Sequence, residues 1–192
     1  METPKLIVVG GPNGSGKSTF ALKHSASSGI RYIGADQIAA ELSPNNPYSA
    51  RIEASRQFNL RIRQSIEQKE SMIVESTLAG KSLRNLIREA QIADFEITVI
   101  FVFLETADTC VQRVKQRVKL GGHDVPEGDI RRRFNRSIAN FWNIYRTLAD
   151  FWLLVYNSET APENVAFGNE SHSIVRINEL FDKFQALLES ND

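Results

Sequence analysis

Residues 11–18 read Gly11-Pro12-Asn13-Gly14-Ser15-Gly16-Lys17-Ser18, followed by Thr19. They fit the pattern GxxxxGK[ST] at every fixed position. The glycines let the backbone turn tightly and aim successive N–H groups at one point, a nest for phosphate oxygens. A helix starting at Lys17 adds the positive end of its dipole. In such a loop the lysine reaches the β- and γ-phosphates of a nucleotide, and the serine hydroxyl ligates Mg2+. ATP and Mg2+ are therefore the expected ligands, with residues 11–19 as the nucleotide-binding stretch.

The acceptor of a transferred phosphoryl group must be held by other residues. Asp36 is an acid just after a predicted strand; there it faces the phosphoryl group and takes the proton of a substrate hydroxyl. The same position also suits a helix N-cap. Glu75, Ser76 and Thr77 end another predicted strand. Glu75 is expected in the outer shell of the metal and the two hydroxyls at the substrate, the alternative being an ordinary polar strand end. No apolar strand ends in an aspartate, and Glu105 is a weaker metal candidate. Asn157-Ser158 follows the last parallel strand and suits either an adenine edge or a plain turn.

Arg113, Arg117, Arg131, Arg132, Arg133 and Arg136 surround the Gly121–Pro126 loop. Phosphoryl transfer needs cations over the β- and γ-phosphates, because charge spreads over the equatorial oxygens. Gly121-Gly122 supplies a hinge for a closing lid. Helical geometry turns Arg132 and Arg136 away from the apolar stripe, while Arg131 and Arg133 flank it on opposite sides. Of the flanking pair, Arg133 is favoured for the cleft. His123, in the same loop, either donates to a phosphate or caps a helix end.

These residues need a scaffold. Leu6–Val9 is a short apolar run of strand type before the glycine loop, and a helix follows from Lys17 to about Ala26. Arg31–Gly34 reads as a second strand, Gln37–Leu42 as a helix, and Tyr48–Lys69 as a long helix with Phe58, Ile62 and Ile66 inward. Met72–Glu75 is the third strand, and Ser82–Ala90 a helix. Phe95–Leu104 is so continuously apolar that it reads as a central strand buried on both faces. Thr106–Leu120 places Val111, Val114 and Val118 inward. Glu127–Ala149 has the clearest helical period, through Ile130, Phe134, Ile138, Phe141, Tyr145 and Leu148. Phe151–Tyr156 is the fifth strand, a hairpin crosses Gly168-Asn169, and a final helix closes the chain. The expected fold is an α/β three-layer sandwich: a five-stranded, mainly parallel sheet in one domain over 1–192, with a helical lid over about 113–137. Ligands in such sheets sit beyond the carboxyl ends of the strands, where the residues above fall.

Composition narrows the partners. Lys and Arg total 23, as do Asp and Glu, so the net charge is zero and there is no global footprint for nucleic acid or an anionic membrane. The one cysteine, Cys110, excludes an intrachain disulfide and a cysteine-based zinc cluster. The chain enters its first strand with no signal peptide, and no apolar run reaches spanning length, so a cytoplasmic location is expected.

Four stretches together resemble the zeta-toxin family of P-loop kinases: GGPNGSGKST at 10–19, YIGADQIA at 32–39, ESTLAGKS at 75–82, and RVKQRVKLGGHDVPEGDIRRRFNRS at 113–137. The last is the most specific. The resemblance implies a nucleotide-kinase-like fold and transfer of the ATP γ-phosphate to a hydroxyl of UDP-N-acetylglucosamine. It implies Lys17 and Ser18 at phosphate and Mg2+, Asp36 as the base, Glu75 and Thr77 at the sugar nucleotide, and Arg117 with the His123 region as a phosphate clamp. It also raises an antitoxin protein as a candidate partner. Two positions depart from the family: Lys81 stands near where the toxins carry an arginine, and Asn59 about where they carry a substrate-binding glutamate. Kinase action on another metabolite, a nucleoside or sugar, and a nucleotide-binding interaction protein with little transfer activity stay open beside the sugar-nucleotide reading.

Overall fold

A computed structural model describes residues 2–122, 124–157 and 161–189. The strands are β1 (Lys5–Gly10), β2 (Arg31–Ile33), β3 (Met72–Ser76), β4 (Glu96–Phe103), β5 (Phe151–Asn157), β6 (Pro162–Gly168) and β7 (Ser173–Val175). The helices are α1 (Lys17–Ser28), α2 (Ala35–Leu42), α3 (Arg51–Glu67), α4 (Leu83–Ile92), α5 (Ala107–Lys119), α6 (Glu127–Asn140) and α7 (Asn178–Glu189). The sheet runs β2-β3-β1-β4-β5-β6-β7. Its first five members pair in parallel, as right-handed crossovers produce.

β1 has β3 on one side and β4 on the other, so the chain leaves it in both directions. The carboxyl end of such a strand is a switch point, where neighbouring connections part and leave a crevice. The glycine-rich loop begins there.

Strand alternation sorts the core into two unequal halves. Leu6, Val8, Met72, Val74, Ile97, Val99 and Phe101 point to the larger one, which takes in residues from α2 through α7. Ile7, Val9, Ile73, Ile100, Val102 and Val155 point to the other, where α1 contributes Ala21 and Phe20. β4 is thus buried on both faces, as its unbroken apolar run requires.

Three expectations need correction. Among the described residues the sheet has seven strands, not five: β6 and β7 join it antiparallel at the β5 edge. Their hairpin turns at Asn169, whose Oδ1 accepts from the Ser171 and His172 amides. In β6 the buried side chains are Val165 and Ala166, too short a run to mark a strand of the main sheet. The long helix from Glu127 is not α-helical throughout; it passes into a π turn at Phe141–Tyr145 and a 3-10 turn at Arg146–Leu148. Both keep apolar residues three or four apart, so periodicity does not separate them from an α-helix. Val118 is 37% exposed and faces a cleft between α5 and α6 rather than the core. Among the described residues no helix is long and apolar enough to cross a membrane.

Candidate active site

The loop between β1 and α1 closes on itself through the Ser15 amide, which donates to the Pro12 carbonyl at 3.2 Å. Gly14 and Gly16 have φ of +83° and +89°, a region that side chains avoid. Both also lack room. A Cβ on Gly14 would lie 2.5 Å from the Cys110 carbonyl oxygen, and one on Gly16 would lie 2.2 Å from Asn157 Nδ2. The start of α5 and the end of β5 therefore press directly on the loop.

Asn157 does more than crowd it. Its Nδ2 donates to the Ser15 carbonyl at 2.7 Å, and its own carbonyl accepts from Arg113 Nη2 at 3.1 Å. The Asn157 amide nitrogen thus holds the glycine loop, at a place after β5 that suited an adenine edge or a plain turn. Arg113 braces Asn157 in turn.

Inside the loop, Ser15 Oγ is fully buried and has no hydrogen-bond partner among the described residues. It lies 2.7 Å from where a Cβ on Gly11 would sit, so the lack of a side chain at Gly11 makes room for it. Lys17 is buried as well. Its Nζ donates back to the Pro12 carbonyl at 3.3 Å and lies 3.7 Å from Glu75 Oε1.

Glu75, at the end of β3, collects three neighbours. Ser18 Oγ donates to its Oε1 at 2.9 Å, the Tyr32 hydroxyl donates to its Oε2, and Lys17 stands beside it. Burial, then the negative charge of Glu75, pushes the Tyr32 phenol far above its ordinary range, so it stays a neutral donor. A serine hydroxyl and a carboxylate converging beside a phosphate loop are hard oxygen donors, the set that Mg2+ takes together with phosphate oxygens and water. The residues present fit that ion.

Beyond the loop opens a cavity of about 260 Å3. Its lining brings together Asn13 and Lys17, Glu75, Ser76 and Thr77, and Asp36, Asn59 and Arg133. α2 brings in Asp36, which lies in its first turn; the cap position belongs to Gly34. α6 brings in Arg133, half-buried and 3.4 Å from Asp129. Arg131, on the other flank, is engaged by Asp108 and Glu127. The cavity runs on past Ala35, Asp36, Val125 and Arg133 into a second one of about 450 Å3, where Arg51 stacks 4.1 Å over the Tyr48 ring. On the other side of the loop a cavity of about 660 Å3 is lined by Gly16, Thr19, Phe20, His24 and Asn157.

Some expected residues are elsewhere. Lys81 is exposed and does not line the cavities of about 260 and 450 Å3. Arg117 packs against Gly122, which has no side chain to displace it, and does not line them either. His123 and Ser158 fall outside the described residues. Sequence reasoning missed Tyr32 and Ser55. Ser55 and Asn59 sit four apart on α3, a polar pair beside the buried Ala54 and Ile62, and that spacing was a readable signal. Nothing local announced Tyr32, whose partner is 43 positions away.

A protein-family model described as AAA domain matches residues 6–137. A curated protein of Haemophilus influenzae, described as uncharacterized, is 33% identical over 134 residues, 68% of this chain and 92% of its own length. Among solved structures, the AvrRxo1-ORF1:AvrRxo1-ORF2 complex with ATP matches 95% of this chain at 18% identity and a TM-score of 0.71; this chain spans 63% of that one. A structure from the PezAT toxin–antitoxin system of Streptococcus pneumoniae matches at 10% identity and a TM-score of 0.60, covering 100% of this chain and 88% of that one. A gluconokinase from Sinorhizobium meliloti matches at 14% identity and a TM-score of 0.51, with 97% and 92% covered. At such identities the solved structures show the fold, that of P-loop kinases.

Proposed function

The chain belongs to the AAA domain family, and on that premise we propose that it is an ATP- and Mg2+-dependent kinase acting on a hydroxyl of a small molecule. One observation carries the reading: Lys17 of the phosphate loop and the carboxylate of Asp36 line the same cavity. A γ-phosphate held by Lys17 and an acceptor hydroxyl held by Asp36 would share that cavity.

In this reading the triphosphate lies along residues 11–18, with Lys17 and the loop amides on its oxygens, and the nucleoside lies in the cavity beside Thr19 and Phe20. Ser18 and Glu75 would hold Mg2+, which supplies positive charge to the phosphate oxygens when bound. Asp36 takes the proton of the acceptor hydroxyl as its oxygen bonds to the γ-phosphorus. The bond from that phosphorus to the β–γ bridging oxygen breaks, and ADP leaves. Arg133 stabilises the equatorial oxygens in the transition state. Arg117 joins it if the loop with Gly121-Gly122 closes, which makes residues 113–137 the lid of one kinase domain over 1–192. Asn157 and Arg113 hold the loop in shape, and Glu75 and Thr77 also contact the acceptor.

UDP-N-acetylglucosamine is the first acceptor to test. The zeta-toxin resemblance supports it, as does the room available: a sugar ring fits the inner cavity, and the outer one, with Arg133, Arg51 and Tyr48, offers cations and a flat ring to a nucleoside diphosphate. An antitoxin partner and a cytoplasmic location belong to the same reading. The neutral Asn59, in place of an acid, favours a second reading in which the acceptor is another sugar or a nucleoside. The test is transfer of labelled γ-phosphate from ATP across sugar nucleotides, sugars and nucleosides. Acceptor-dependent transfer supports a kinase and names its substrate; tight ATP binding with no transfer to any acceptor overturns it in favour of a nucleotide-binding interaction protein.

A further inference from the structure

The loop after β3 is held by a single helix. Ser137 Oγ donates to the Thr77 carbonyl, Asn140 Nδ2 donates to the Leu78 carbonyl at 2.8 Å, and the Tyr145 hydroxyl donates to the Gly80 carbonyl at 2.6 Å. Tyr145 reaches Gly80 from the π turn. A π turn adds a residue to the helical ring, which swings the residues beyond it by about 100° relative to a continuous α-helix. Phe141, at the head of that turn, is fixed by stacking 4.4 Å from Phe101.

The loop needs holding. Leu78 has a φ of +56°, a conformation a leucine enters only when its surroundings impose it. Its side chain is buried over Gly10, where a Cβ would come within 2.3 Å of Leu78 Cδ1. The loop is thus wedged between the root of the phosphate loop and α6. One turn before Ser137, the same helix carries Arg133 into the cavity that Thr77 also lines. The donor side is braced separately, through Asn157 and Arg113.

We propose that Ser137, Asn140 and Tyr145 are positioning residues for the acceptor. They lock the Thr77 wall to the helix that carries Arg133, and so set the width of the acceptor cavity without touching the nucleotide. The proposal rests on the kinase reading above.

The test uses Tyr145→Phe and Asn140→Leu, which stay close in size and remove the donor without adding a charge. Three quantities are read: amide hydrogen exchange over residues 76–82, ATP affinity by calorimetry, and the KM and kcat for the acceptor. Loss of one hydrogen bond predicts exchange over 76–82 faster by about 5–10-fold and an acceptor KM raised by about the same factor. ATP affinity stays within about twofold. Unchanged exchange, an ATP affinity that weakens in step with the acceptor KM, or faster exchange with an unchanged acceptor KM each overturns the proposal. Absence of transfer by the unmodified protein to every acceptor removes the kinase reading and the positioning role with it. Normal transfer with unaltered KM in the variants removes the positioning role alone.

Discussion

Glu75→Gln probes the junction of phosphate loop, metal site and acceptor cavity. The wild-type carboxylate accepts from Ser18 Oγ and from the Tyr32 hydroxyl, one on each oxygen, and lies 3.7 Å from Lys17 Nζ. Its side chain is 11% exposed, and that of Lys17 is 9% exposed. Glutamine has one acceptor oxygen, so one hydroxyl meets an NH2 group and must turn away. A hydrogen bond to a charged group is worth about 1.5–3 kcal/mol. Removing one partner of a buried ion pair costs about 3–5 kcal/mol. Relief of the carboxylate's own desolvation offsets part of both, which leaves a loss of about 2–4 kcal/mol. For a chain of this length that corresponds to a fall in Tm of about 5–15 °C. Calorimetry with ATP and EDTA separates the causes. Phosphate replaces the lost countercharge beside Lys17 and no longer meets a carboxylate, so metal-free ATP raises Tm more in the variant than in the wild type. Added Mg2+ then stabilises the wild type further and the variant little. A variant that melts with the wild type, or gains as much from Mg2+, refutes this account of Glu75.

Other perturbations reach the neighbouring parts. Asn157→Ala removes the bond to the Ser15 carbonyl and predicts ATP binding weaker by about 3–10-fold in a nucleotide titration. Gly14→Ala places a methyl 2.5 Å from the Cys110 carbonyl oxygen at a φ of +83°, and predicts a loss of about 2–3 kcal/mol in urea unfolding together with loss of ATP binding. Burial pushes the Cys110 thiol up to about 12, against the pull of Lys17 and Arg113, and pushes the Tyr145 phenol up to about 12. Both groups hold their protons longer folded than unfolded, so stability is level below about pH 9 and falls as pH rises toward 12. Cys110→Ala is expected to make that fall shallower, read as the slope of unfolding free energy between pH 8 and 11.

Much of the scaffold was readable because its signals are local. Leu6–Val9, the glycine spacing and the apolar run of β4 each state their conformation within a few residues. The rule that ligands gather beyond the carboxyl ends of parallel strands also pointed to Asp36, Glu75 and Thr77 before any contact was known. The features that stayed hidden depend on partners far along the chain. Tyr32 meets Glu75, and Asn157 meets Ser15, by tertiary packing alone. The choice between Arg131 and Arg133 turned on which flank of α6 faces the cavity, and Asp108 and Glu127 occupy the other flank. The π turn was invisible because Phe141 and Tyr145 keep the same four-residue step in either helix type. The edge hairpin was expected, but its addition to the sheet was not, since the buried run in β6 is only Val165 and Ala166.

The most direct measurement on the central claim separates binding from transfer in Asp36→Asn. ATP affinity and acceptor-dependent transfer of the γ-phosphate are measured on the same preparation. The account predicts ATP binding within about twofold of wild type and transfer lower by about 100-fold or more, the usual weight of a general base. Transfer at the wild-type rate would contradict it and remove Asp36 from the chemistry.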